Sequence, residues 1–285
     1  MSSRIDIDAA PLAAIDVHVH LEAEGRSDTD TAARSYFGDT GAPRDPQGLA
    51  DYYRSRRMAF VVFTVDERLS GRRHVTNDDV LRFAAEHPDV AIPFVSIDPT
   101  RGADAVREAK RLVATGQVRG LKLHPPLQQC FANDPVVYPL YEVFAEAKLP
   151  VLIHTGHSGI GTGVPGGGGI RLKFGNPMCI DDVAVDFPQM TIIMAHPSFP
   201  WQDEALSICL HKPTVYIDLS GWSPKYFPPN LIRYANSLLK DKMLFGSDYP
   251  LITPDRWLAD FEKIDIKSEV RPLVLKENAL KLFAS

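Results

Sequence analysis

Cysteine is scarce: Cys130, Cys179 and Cys209 are the only three in a chain of 285 residues. They lie far apart, are odd in number and form no CxxC pair. This argues against a disulfide framework and fits a reducing compartment. Long hydrophobic runs are missing too; the longest are strand-sized, so no segment reads as a membrane span. Residues 1–10 carry acidic side chains and no apolar core, so we expect no signal peptide and a cytoplasmic location. Charge of one sign is not in large excess. The formal net charge of −5 disfavours a nucleic-acid-binding surface. A local basic pocket for a small anion remains compatible with it. No internal repeat or interdomain linker stands out.

What the chain has is apolar material in short, regular pieces. Apolar residues make up 45% and charged residues 24%, a globular profile with enough for a large core. Runs rich in Val, Ile and Leu occur at residues 12–19, 59–65, 91–97, 120–124, 150–154, 191–196, 215–219 and 243–248. Helical spacing lies between them, at 77–86, 103–114, 135–147, 203–210 and 229–239, with a last helix at 276–283. Asn77 is placed to cap the first of these helices, and Pro135 to open the third.

Strands alternating with helices favour a parallel sheet, because each crossover needs a helix. The length suits one domain, a (β/α)₈ TIM barrel over 1–285 with a short tail at 1–10. An open, doubly wound sheet is the structural alternative. The last helix is expected to close the barrel. Two long loops, 22–47 and 156–177, follow the first and fifth strands. Barrel enzymes keep their active sites at such strand ends.

Six chemistry-bearing residues fall on that same rim. IDVHVH (15–20) puts His18 and His20 two apart, so both project to one face, with Val17 and Val19 toward the helices. Paired imidazoles suit a divalent cation; an exposed strand pair is the alternative. His124, His154 and His196 end the fourth, fifth and sixth strands. For His154 and His196, a hydrogen-bonded core histidine is the competing reading. Asp248 follows the eighth strand in FGSDYP, where a buried carboxylate needs a cation or hydrogen bonds to compensate it. His74, His87 and His211 read as surface histidines.

The motifs IDVHVH, GLKLHP (120–125), PVLIHTG (150–156), IIMAHPS (192–198), LFGSDYP (244–250) and ENALKLF (277–283) together resemble the amidohydrolase superfamily. More narrowly, they are similar to the amidohydrolase-related branch that includes aminocarboxymuconate semialdehyde decarboxylase and the resorcylate decarboxylases. The resemblance spans nearly the whole chain in the family's order. It implies one divalent metal, zinc by donor type with manganese or iron as alternatives, held by His18, His20, His154 and Asp248. It implies His196 as the catalytic acid or base, with Asp248 also orienting water. Lys122 stands where some members carry a carboxylated lysine; in this branch it reads as a substrate-anion contact.

His124, His157, Arg171 and Trp222 are further substrate-binding candidates, the last with Tyr226, Phe199 and Trp201 in an aromatic rim. The glycine-rich loop, with Arg171 and Lys173, could hold a substrate phosphate or carboxylate, or serve only as a lid. The implied reaction is attack of metal-activated water on a carbonyl: an ester, lactone, amide or the C–C bond of a β-ketoacyl compound such as an aryl β-ketoacyl-CoA. The implied setting is catabolism of aromatic or carboxylic acids. Non-oxidative decarboxylation of an aromatic or muconate acid is the second reading, and a non-catalytic ligand- or metal-binding barrel the third. The partner expected is a small-molecule substrate, in a homodimer or homotetramer.

Overall fold

The computed structural model describes residues 7–22, 31–32, 35, 38, 40–69 and 75–284. Most of the tail at 1–10, half of the 22–47 loop and His74 lie outside these residues. Eight strands appear in chain order: β1 (Ala14–His20), β2 (Met58–Phe63), β3 (Ala91–Ser96), β4 (Gly120–Leu123), β5 (Val151–His154), β6 (Ile192–Ala195), β7 (Val215–Asp218) and β8 (Met243–Leu244). Each pairs in parallel with the next. The ring closes through backbone bonds from β1 to the chain after β8. Val17 N–H donates to Phe245 O (2.9 Å), Asp248 N–H to His18 O (3.0 Å) and His20 N–H to Tyr249 O (2.9 Å). The result is the expected (β/α)₈ barrel. Its strands are apolar on both faces because helices cover one and the barrel interior takes the other.

Strict alternation fails in β1, and the failure matters. Its register with β2 shifts between Asp16 and Val19. Buried Asp16 anchors the irregularity: Oδ1 accepts N–H groups from His18 (3.1 Å) and Ser247 (2.9 Å), and Oδ2 accepts the Tyr53 hydroxyl (2.8 Å). Val17 therefore joins Ile15 and Phe63 in the interior cluster instead of facing the helices. A bulge re-aims side chains in this way, and His18 and His20 still reach one cavity. β8 is shorter than the 243–248 run predicts. A Cβ on Gly246 would collide with Asp218 Oδ1, so only glycine allows this approach, and the chain leaves β7 to bond β1.

One end of the barrel is stoppered. Leu282 and Phe283, on the terminal helix Asn278–Ala284, join Ile15, Val17, Ile92 and Phe94 in the interior cluster. The Phe283 and Phe94 rings meet edge-on at 6.2 Å. This is the closing helix expected from sequence, entered through a π-helical turn at Leu273–Glu277.

Other boundaries moved for local reasons. Thr76, not Asn77, caps Asn77–Glu86, in a capping box with Asp79. The Asn77 amide instead brackets Ser96, donating to its carbonyl and accepting from its N–H, both at 2.8 Å. The third expected helix starts at Tyr138 with Pro139 in its first turn, after Pro135. The helix expected over 229–239 ends at Ala235. His87 is buried against Phe83 (ring centroids 4.8 Å), so it is no surface histidine. Among the described residues no helix is long and apolar enough to cross a membrane.

Candidate metal centre

The open end of the barrel holds a cavity of about 380 Å³. His18, His20, His124, His154, His196 and Asp248 all line it. Within it, one ligand atom each from His18, His196 and Asp248 lies within 4.8 Å of the others. His20 joins one edge: its Nε2 is 3.3 Å from His18 Nε2 and 3.2 Å from Asp248 Oδ1. His154 joins another, with Nδ1 3.0 Å from His196 Nε2. The compact trio thus contains His196, which the resemblance casts as a proton carrier, while His154 flanks it.

The surroundings fix which nitrogen of each ring faces inward. His18 Nδ1 meets Asp218 Oδ2 at 2.6 Å, so its proton points away from the site and Nε2 presents a lone pair. Ser220 Oγ donates to Asp218 Oδ2 (2.9 Å) and, its proton spent, accepts from His196 Nδ1 (3.0 Å). His196 Nε2 is then also a lone pair. Burial pushes the His196 ring down to about 4, with the Asp248 charge pulling the other way, so it is neutral near pH 7. His18 is held well below the usual histidine range by burial and then by Lys122. Burial pushes the Asp218 carboxyl up, while the Ser220 donors and Lys122 pull it back. Burial works against the Asp248 carboxylate too, but the hydrogen bond from His20 and its cationic neighbours hold it below the ordinary value.

This donor set fits a divalent cation. The His18 Nε2 lone pair faces Asp248 Oδ1, another acceptor, at 3.2 Å. His154 Nε2 is buried with no hydrogen-bond partner among the described residues. Three-nitrogen, one-oxygen sets of this kind suit Zn²⁺, and such ligands also accept Mn²⁺ or Fe²⁺. His196 and Asp248 both have φ of +72°, a conformation that costs a non-glycine residue roughly 1–3 kcal/mol. The Asp248 N–H bond to His18 O helps hold it. Gly221 packs against the His196 ring so closely that any Cβ would strike Nδ1.

The other candidates are placed as follows. Lys122 is fully buried outside the cavity lining, with Nζ 3.1 Å from His18 Nε2 and 4.7 Å from the Phe63 ring centre. Burial lowers its pKa. His124 stacks on His154 at 3.9 Å. His157 is half-buried and lines the cavity, as do Trp222 and Tyr226. Phe199 backs Trp222 at 5.4 Å. Arg171 is exposed, donates to Gln129 Oε1 (2.6 Å) and is not brought to the cavity. The long loop after β5 lends only its first residues, Ser158, Gly159 and Ile160, to the lining; the glycine run is elsewhere.

Sequence reasoning missed Asp16, Asp218, Ser220, Ser158 and Arg256. Asp218 carried a readable signal, an acid ending the apolar run VYID. Arg256 lines the cavity, and its guanidinium has no partner among the described residues, whereas nearby Arg56 is paired with Asp255.

Comparison with known proteins bears on the fold and the family. Among curated proteins none matches. Among solved structures, an uncharacterised TIM-barrel protein from Bordetella bronchiseptica superposes with a TM-score of 0.76 at 24% identity, covering 95% of this chain and 98% of its own. A dihydroxybenzoic acid decarboxylase from Polaromonas, with bound manganese and 2-nitroresorcinol, gives 0.64 at 15% identity, with 95% and 97% covered. A probable 2-pyrone-4,6-dicarboxylic acid hydrolase from Acinetobacter baumannii, with citric acid bound, gives 0.62 at 17%, with 96% and 100% covered. At these identities the likeness is one of fold. The family model for amidohydrolases matches residues 15–284, nearly the whole chain, and the chain belongs to the amidohydrolase family.

Proposed function

We propose that this chain is a metal-dependent hydrolase that cleaves an ester, lactone, amide or β-ketoacyl C–C bond of an aromatic or carboxylic acid derivative. In this reading His18, His20, His154 and Asp248 hold one divalent metal, with zinc first among the candidates. Bound there, the ion acidifies water and polarises a carbonyl.

The observation that carries the reading is the position of His196. Its ring lies in the donor cluster, with Nε2 3.0 Å from His154 Nδ1 and Nδ1 tied to Ser220. Such an imidazole takes a proton from water at Nε2 and returns it to the leaving group. Ser220 and Asp218 keep the ring aimed throughout. Trp222, Tyr226, Ile160 and Leu251 give the cavity apolar walls, which suit an aromatic or acyl substrate and limit competing water. We place the protein in the cytoplasm as a homodimer or homotetramer, which light scattering of the purified protein tests.

A second reading, decarboxylation of an aromatic or muconate acid, is favoured by one feature. The Arg256 guanidinium at the cavity, without a partner among the described residues, suits a substrate carboxylate. One experiment separates the two. The metal-loaded protein is assayed against thioesters, lactones, amides and β-ketoacyl compounds, and in parallel for CO₂ release from dihydroxybenzoates. Turnover confined to the first panel supports hydrolysis. Release of CO₂ without hydrolysis replaces it with the second reading.

A further inference from the structure

The histidines of the cavity differ in polarity. His18 and His196 give their Nδ1 protons to Asp218 and Ser220, so each offers a lone pair inward. His124 is wired the other way. It caps the short helix Pro125–Gln128, and its Nδ1 accepts the Leu127 N–H at 3.4 Å, a hydrogen shared with the His124 carbonyl at 2.9 Å. A ring nitrogen that accepts cannot carry the proton, so the proton sits on Nε2. His124 is 3% exposed and lines the cavity, and Nε2 has no protein partner among the described residues. An Nε2–H cannot ligate a metal; it can only donate.

A second donor stands on the neighbouring strand's loop. Ser158, four residues after β5, is 3% exposed and lines the same cavity, and its Oγ has no hydrogen-bond partner among the described residues. Buried hydroxyls without partners are uncommon in folded proteins and point to a missing acceptor. β4 and β5 are adjacent and lie opposite β8 and β1 in the ring. The two donors therefore belong to the side of the cavity away from His18, His20 and Asp248.

We propose that His124 Nε2–H and Ser158 Oγ–H form a two-donor subsite for the oxygen of the substrate's reacting carbonyl. The role rests on the hydrolase reading above; the subsite itself is testable without it. Donors placed where negative charge develops act on kcat more than on KM.

Two measurements decide it. In ¹⁵N-labelled, zinc-loaded protein, ¹H–¹⁵N correlations of the His124 ring should show Nε2 protonated and Nδ1 bare at neutral pH. A proton on Nδ1 overturns the proposal. On the fastest substrate of the hydrolysis panel, His124→Ala should lower kcat about 100-fold with KM within about threefold, and Ser158→Ala about tenfold. His124→Gln, whose amide nitrogen reaches the Nε2 position, should recover about tenfold of the loss, and His124→Asn none. Zinc content is measured in each variant, and His124→Gln against His124→Asn decides where alanine costs the metal. Unchanged kcat in the His124 and Ser158 variants overturns the proposal.

If wild type hydrolyses nothing in the panel, the functional reading fails instead. Phenylphosphonate binding to the zinc-loaded protein then decides the subsite. Weaker binding in His124→Ala and Ser158→Ala, by about tenfold each, supports it, and wild-type affinity in both overturns it.

Discussion

Around β1, β7 and β8 the polar atoms behind the donor cluster are paired within the protein. Asp16 holds His18 and Ser247, Asp218 holds His18, and Ser220 ties Asp218 to His196. On β4 and β5 the pattern reverses: His154 Nε2 and Ser158 Oγ are buried and unpaired among the described residues. The first side is finished before any ligand arrives. Its pairing aims lone pairs at one point, which is what an ion demands. The second side keeps polar atoms in reserve, His154 Nε2 for the ion and Ser158 Oγ for the substrate. The contrast separates atoms the protein has already paired from atoms held for what binds.

That contrast can be broken from either side. The largest effect is expected from His18→Ala/His20→Ala, which removes two donors from the paired side. Metal content should fall to background by elemental analysis and activity by at least about 10³-fold; full metal in this variant would end the proposed assignment. Asp218→Asn should come next. The amide turns an N–H toward His18 Nδ1 and forces the ring proton onto Nε2. Metal affinity should drop by about 10–100-fold in a chelator competition, while the fold, followed by circular dichroism, stays intact. Arg256→Gln changes a cavity-lining residue outside the donor cluster. We expect KM for a carboxylate-bearing substrate to rise about tenfold, with metal content unchanged. Phe283→Ala should spare both sides. It opens the floor of the barrel at a cost of about 3–5 kcal/mol in denaturant unfolding, yet metal affinity below the melting transition should match wild type.

The barrel was legible because its strands are short apolar runs at regular intervals, and the helix Ala103–Ala114 falls where its amphipathic spacing puts it. The rim histidines were legible because each ends such a run. What escaped was set by contacts between distant segments. The inward turn of Val17 depends on Asp16 reaching Ser247, across 231 residues. Asp218 at least ends an apolar run, but Ser220 looks like an ordinary loop residue until β7 is laid beside β6 and β8. Arg171 read as a pocket residue from its glycine-rich neighbours, but three consecutive glycines with φ near +60° carry the chain along a path that leaves it bonded to Gln129. Loop paths of this kind have no periodicity to read.

The terminal helix that stoppers the barrel also sets an order of events during synthesis. Residues 278–284 leave the ribosome after all eight strands, so a growing chain has the whole sheet available while the floor beneath Phe94 and Ile92 is still open to water. Until the last turn arrives, that apolar floor is a sticky surface of the kind chaperones cover. The helix at 278–284 thus covers an apolar surface that the eight strands by themselves leave open.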